Sequence, residues 1–106
     1  MARSVWLALS FLIVAPLAAN DDISDDRQQQ LHNLLIQDCG SCHGLKMRGG
    51  LGPALLPDML QGKSADYLSS VILDGRPGTA MPPWRPLLSP AEARWMADQL
   101  LQGVAQ

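Results

Sequence analysis

Apolar and polar positions alternate at helical spacing in three stretches of the chain, and nowhere at the two-residue spacing of a strand. Over residues 25–38, Leu31, Leu34 and Leu35 form one stripe while Gln28, Gln29 and Gln37 fall elsewhere, which predicts a helix running straight into CGSCH at 39–43. The acidic run NDDISDD ahead of it reads as a frayed arm whose carboxylates suit the positive end of that helix. Tyr67, Leu68, Val71 and Ile72 predict a second helix, with Ser64 as its N-cap and Gly75 as its stop. In LSPAEARWMADQLLQG, Ser89 and Glu92 spell a capping box with Pro90 at the first helical position, and Gly103 is a fitting end. ALLPDMLQG reads as a short helical turn stopping at Gly62. The segments GLKMRGGLGP (44–53) and GRPGTAMPPWRP (75–86) are too rich in glycine and proline for regular structure. The expectation is an all-α domain of three to four helices joined by two long loops. Loops of that length in a small domain usually carry function.

The first twenty residues are patterned differently. Val5 to Ala15 is apolar except for Ser10, Arg3 precedes it, and Pro16, Ala18 and Ala19 follow. That is the layout of a secretory signal peptide cut after Ala19, and it is shorter than the ~18 residues a spanning helix needs. The expected division is therefore a cleaved signal at 1–19, an acidic arm at 20–24 and a folded domain at 25–106, exported to the periplasm. Loss of 1–19 takes Arg3 alone among the charges, leaving seven basic and ten acidic side chains. No basic excess remains for nucleic acid. Of the chain's five aromatics, only Tyr67, Trp84 and Trp95 lie beyond residue 19. A core so thin would gain from an added apolar body.

The chain's two cysteines, Cys39 and Cys42, stand three apart with His43 next. Four chemistries use such residues. Two thiols at this spacing can add across two vinyl groups on one porphyrin edge, with the histidine held beneath the iron. A thioredoxin-like redox pair wants a βαβ context, and none is predicted here. Zinc would have to draw on Cys39, Cys42, His43 and His32, with His43 awkwardly adjacent to Cys42. A plain disulfide remains open in an exported protein. The all-helical pattern and the thin core favour haem.

With His43 on one side of the iron, the opposite ligand is the next question. His32 leads in from the His43 side and reads as a surface residue. Met47 is too near His43 to cross the ring easily. Met96, among Trp95, Leu100 and Leu101, and Met59, in LLPDML, read as core. Met81 lies in a loop free of helical constraint and stiffened by Pro82 and Pro83, so it is the candidate.

CGSCHG, the loop ending LGPAL, the helix YLSSVILDG, the TAMPPW loop and the closing helix together resemble the class I c-type cytochromes over about residues 25–103. The resemblance implies one covalently attached haem c. Cys39 and Cys42 would form thioethers, and His43 and Met81 would be the axial ligands. The Pro53 carbonyl would accept a hydrogen bond from His43, and Leu55 would pack on the ring. The first and last helices would cross, with Trp95 a candidate at the contact. That family commonly has a glycine and an aromatic one turn apart in the first helix, where this chain has Leu31 and Leu35.

Within the class, RGGLGPAL and GTAMPPW look most like the small periplasmic cytochromes c associated with haem c/haem d1 nitrite reductase. The resemblance implies a one-electron carrier and not an enzyme, because a six-coordinate iron offers no site for substrate, and nothing in the sequence requires more than a monomer. Its redox partner would be another protein, a nitrite reductase being the leading candidate. Lys46, Arg48, Arg76 and Arg85 would form a docking face near the haem edge. The alternatives are an accessory role in haem d1 maturation, or gas binding if Met81 is not a ligand.

Overall fold

The computed structural model describes residues 10–14 and 22–104, and among them it contains helices and no strand. Helix α1 (Asp25–Leu34) starts where Ser24 accepts a hydrogen bond from the Arg27 N–H at 3.2 Å. The helical path does not stop at 38. A five-residue π-helical turn, Leu35–Cys39, passes into a last helical turn, α2 (Gly40–His43). The CGSCH motif is thus part of one continuous helical segment. A 3-10 turn, Pro57–Leu60, realises the short turn predicted in ALLPDMLQG.

Helix α3 (Ala65–Asp74) begins at Ser64, which accepts from the Tyr67 N–H at 3.0 Å. Helix α4 (Pro90–Gln102) begins at the predicted capping box, with Ser89 and Glu92 exchanging side-chain-to-backbone bonds at 2.9 and 3.1 Å. Each cap satisfies N–H groups that the first helical turn would leave unpartnered.

Leu31 and Leu35 of the first segment, Leu68, Ile72 and Leu73 of α3, and Ala93, Met96, Ala97 and Leu100 of α4 close one core, with Met47, Leu60 and Leu88 added from the loops. No aromatic side chain among the described residues is fully buried in it. The Arg27 guanidinium pairs with the Glu92 carboxylate and so fastens α1 to the start of α4. That contact holds the Glu92 carboxyl below the usual range, first through the hydrogen bond from Arg27 and next through the backbone at Ser89. Trp95 is partly buried against the core, and it lines one surface hollow together with Ile23 and Gln28 at the entry to α1.

Two expected core positions are corrected. Met59 is 60% exposed, because the 3-10 turn directs Leu60 inward in its place. Tyr67 is 44% exposed, and α3 buries Ala65, Leu68, Ile72 and Leu73 instead. Of the segment expected to be cleaved, residues 10–14 lie exposed and without regular structure; the remainder falls outside the described residues.

Candidate functional site

The helical segment delivers Cys39, Cys42 and His43 in just over one turn, and the following loop folds back beneath them. The Gly49 N–H donates to the His43 carbonyl at 2.7 Å, and the Gly52 N–H donates to the Cys42 carbonyl at 2.8 Å. These bonds take up carbonyls that the helix end leaves over. They also bring Pro53 to the imidazole, where His43 Nδ1 lies 2.7 Å from the Pro53 carbonyl oxygen. A carbonyl only accepts, so Nδ1 carries the proton and Nε2 presents a bare lone pair. The ring is pressed against Gly52. A Cβ there would lie 2.8 Å from Cε1 and 2.9 Å from Nδ1. Glycine is what lets the backbone run along the imidazole face.

Leu55 is half-buried against the core, tied by its N–H to the Met47 carbonyl at 2.9 Å. Met47 itself is 2% exposed and takes a left-handed backbone, φ 57°. It is a core residue, not a loop surface residue.

Both thiols are free and half-buried. Burial first, then the nearby Asp38 and Cys42, push the Cys39 thiol up to about 11. Before attachment its sulfur is therefore held as a neutral S–H, suited to an apolar neighbour. Two free thiols, one imidazole with a fixed tautomer, and an aliphatic core without a fully buried aromatic among the described residues together fit a covalently held haem. They do not fit zinc: no group of three or more histidine, cysteine or acidic side chains among the described residues could hold a metal ion.

Met81 is half-buried and is placed by a separate set of bonds on the loop after α3. Its carbonyl accepts from the Arg76 N–H at 3.2 Å, and its N–H donates to Thr79 Oγ1 at 3.3 Å. The loop returns to α3 through the Trp84 and Arg85 N–H groups, which donate to the Ile72 and Leu73 carbonyls at 3.1 and 3.0 Å. His43 and Pro53 are thus in direct contact, Leu55 lies on the same folded-back loop, and Met81 stands on the other loop. Sequence reasoning missed Gly52 and Thr79. The one available signal for Gly52 was its place directly before the proline of GLGP.

The four basic residues of the two loops divide. The Arg76 guanidinium donates to the Tyr67 hydroxyl at 2.8 Å, and Arg85 pairs with Asp74 at 2.7 Å. Lys46 and Arg48 are exposed and form no ion pair among the described residues. Of the four cations expected on the docking face, Lys46, Arg48 and Arg76 lack ion pairs among the described residues, and Arg85 is paired.

Comparison with known proteins identifies the family. The family model described as cytochrome c oxidase, cbb3-type, subunit III, matches residues 26–99. Cytochrome c55X of Pseudomonas aeruginosa is 50% identical over 96% of this chain and 87% of its own length. A solved structure described as c-type cytochrome NirC is 54% identical, covers 76% of this chain and 94% of its own, and superposes with a TM-score of 0.73. The dihydro-heme d1 dehydrogenase of Pseudomonas aeruginosa is 34% identical over 94% of this chain, which spans 19% of that longer protein. The cofactor is accordingly a covalently bound haem c, and the chain belongs to the c-type cytochromes, in the family that includes the cytochromes c55X.

Proposed function

We propose that the protein is a periplasmic one-electron carrier in denitrification, with a nitrite reductase as its redox partner. In this reading Cys39 and Cys42 would form the thioethers, His43 Nε2 and the Met81 sulfur would bind the iron, and Leu55 would pack on the ring. The observation that carries it is the 2.7 Å contact between His43 Nδ1 and the Pro53 carbonyl. That contact leaves only Nε2 for a metal and fixes the plane in which it can bind. When bound, the haem would supply a reversible one-electron iron couple, and ligation by one thioether and one imidazole would raise its potential relative to two nitrogens. The chain contributes burial, fixed ligand positions and a docking surface, and it converts no substrate. The signal-like pattern of the first nineteen residues supports the periplasmic placement, and the match to c-type cytochrome NirC supports the link to nitrite reduction.

The test is the ferric absorption spectrum of the haem-loaded protein. Wild type shows the weak long-wavelength band of sulfur bonded to ferric iron, and Met81→Ala abolishes it. A wild-type spectrum without the band refutes Met81 as ligand and favours an open, gas-binding iron.

A second reading has its own observation. The 34% identity with dihydro-heme d1 dehydrogenase favours a place in haem d1 maturation, as carrier for that chemistry or as a holder of its intermediate. Recovery of a modified haem bound to the purified protein distinguishes it from transfer to the reductase alone.

A further inference from the structure

The turn that carries Met81 is closed on itself. Thr79 Oγ1 accepts from the Met81 N–H at 3.3 Å and donates to the Arg76 carbonyl at 2.6 Å. The Arg76 N–H donates to the Met81 carbonyl at 3.2 Å, and the Thr79 N–H donates to the Arg76 carbonyl at 3.0 Å. The two limbs touch at the base: a Cβ on Gly75, which has φ +66°, would meet the Met81 carbonyl oxygen at 2.7 Å. The Thr79 side chain bonds both limbs of this ring. The entry limb is moored to α3 by the Arg76 guanidinium on the Tyr67 hydroxyl. The exit limb is moored by Arg85 on Asp74.

We infer that Thr79 and Tyr67 are positioning residues that hold Met81 on the iron. Thr79 acts by closing the turn on the Met81 amide, and Tyr67 acts through the Arg76 guanidinium. The inference rests on the reading of Met81 as a ligand. A thioether is a weak neutral ligand, and its bond competes with the freedom the loop regains on release. A turn already closed before ligation has less freedom to regain, so the methionine leaves less often. The exposed Tyr67, which packing alone does not account for, gains a role as the mooring point of the entry limb.

The experiment measures carbon monoxide binding to the ferrous haem-loaded protein at saturating gas, where the rate reports how often Met81 leaves the iron. Thr79→Val raises that limiting rate about tenfold, as expected for one lost hydrogen bond, and Thr79→Ser restores it to within about twofold. Tyr67→Phe raises it about threefold, because its bond is solvent-exposed. Global unfolding followed by circular dichroism moves little in the same variants. Wild-type rates in Thr79→Val and Tyr67→Phe, with the sulfur band present in wild type, overturn the inference and leave Met81 as ligand. A loss of global stability that accounts for the whole rate increase also overturns it, since the residues would then be merely structural. Absence of the sulfur band from wild type overturns the ligation reading and the inference together.

Discussion

Replacing Gly52 with alanine tests the claim that the backbone beneath His43 is shaped for the imidazole. The new Cβ would begin 2.8 Å from Cε1 and 2.9 Å from Nδ1. Gly52 has no positive φ, so the backbone itself tolerates alanine, and the conflict is with the ring. Ordinary contact requires the ring to retreat by about 0.6 Å. A shift of that size carries the Nδ1 to Pro53 separation from 2.7 Å toward about 3.3 Å, the edge of a useful hydrogen bond. Overpacking of this kind costs about 1–3 kcal/mol, and loss of the oriented proton costs about another 1 kcal/mol. Gly52→Ala is therefore expected to lower the unfolding free energy of the haem-loaded protein by about 2–4 kcal/mol in guanidinium titration. It should also alter the ferric spectrum, because a ligand imidazole that loses its partner becomes a weaker base. An unchanged midpoint together with an unchanged spectrum refutes the reasoning, since the ring would then have room that the geometry denies it.

The packing and the caps give further expected outcomes. Leu31 is fully buried in the core, so Leu31→Ala should cost about 2–5 kcal/mol in denaturant unfolding; a loss under about 1 kcal/mol would mean the first helix is not part of the core. The depressed Glu92 carboxyl contributes stability above its unfolded pKa of about 4.3, and that contribution is lost as pH falls through its lower folded value. Glu92→Gln should thus lower stability at neutral pH and flatten the decline below about pH 5, measured by thermal unfolding across pH; parallel wild-type and variant curves would contradict the assignment. Ser89→Ala should cost about 1 kcal/mol through the lost cap, while loss of both thiols in Cys39→Ser/Cys42→Ser should leave any haem removable by acid extraction.

How far the sequence carried depended on whether a feature was local. Ser64, Ser89 and Glu92 announce helix starts because a cap is a matter of three or four residues, and each is found where it was expected. CGSCH announced its chemistry for the same reason. The π-helical turn did not announce itself. Leu31, Leu35 and Cys39 are spaced for an unbroken α-helix, but Gly40 packs so tightly on Leu45 that a Cβ would sit 3.2 Å from its Cα. The extra residue in the turn accompanies a contact with the next loop, and periodicity has no access to such contacts. Met47 is a similar case. A left-handed backbone costs a non-glycine residue about 1–2 kcal/mol, and burying its side chain returns about 1.5–3 kcal/mol. The sequence shows the residue but not the core space that decides the balance. Tyr67 fits the apolar pattern of α3, yet its hydroxyl is bonded to Arg76 from beyond the far end of the helix. The same blindness to distant partners made four loop cations look equivalent.

That division of the cations changes what docking can depend on. Arg85 is paired with Asp74, whereas Arg76 donates to a hydroxyl and not to a carboxylate, so it keeps its charge. The field available to a partner near the haem therefore comes chiefly from Lys46 and Arg48, in the loop after CGSCH, and from Arg76, in the loop that carries Met81. At physiological salt the screening length is about 8 Å, so only charges close to the contact steer the encounter. Reversing the first two, in Lys46→Glu/Arg48→Glu, should slow electron transfer to an acidic partner about tenfold at low salt, with the difference shrinking as ionic strength rises. Arg85→Gln together with Asp74→Asn removes both members of an exposed pair and leaves the net charge unchanged, so it should change the rate less than about twofold at every ionic strength. Stopped-flow oxidation by the candidate reductase across a salt series separates the two variants. If removing the Arg85–Asp74 pair slows transfer as much as the double reversal does, the pair is itself part of the docking contact and net charge does not govern the encounter. If neither variant responds to salt, docking is governed by apolar contact around the haem edge rather than by charge.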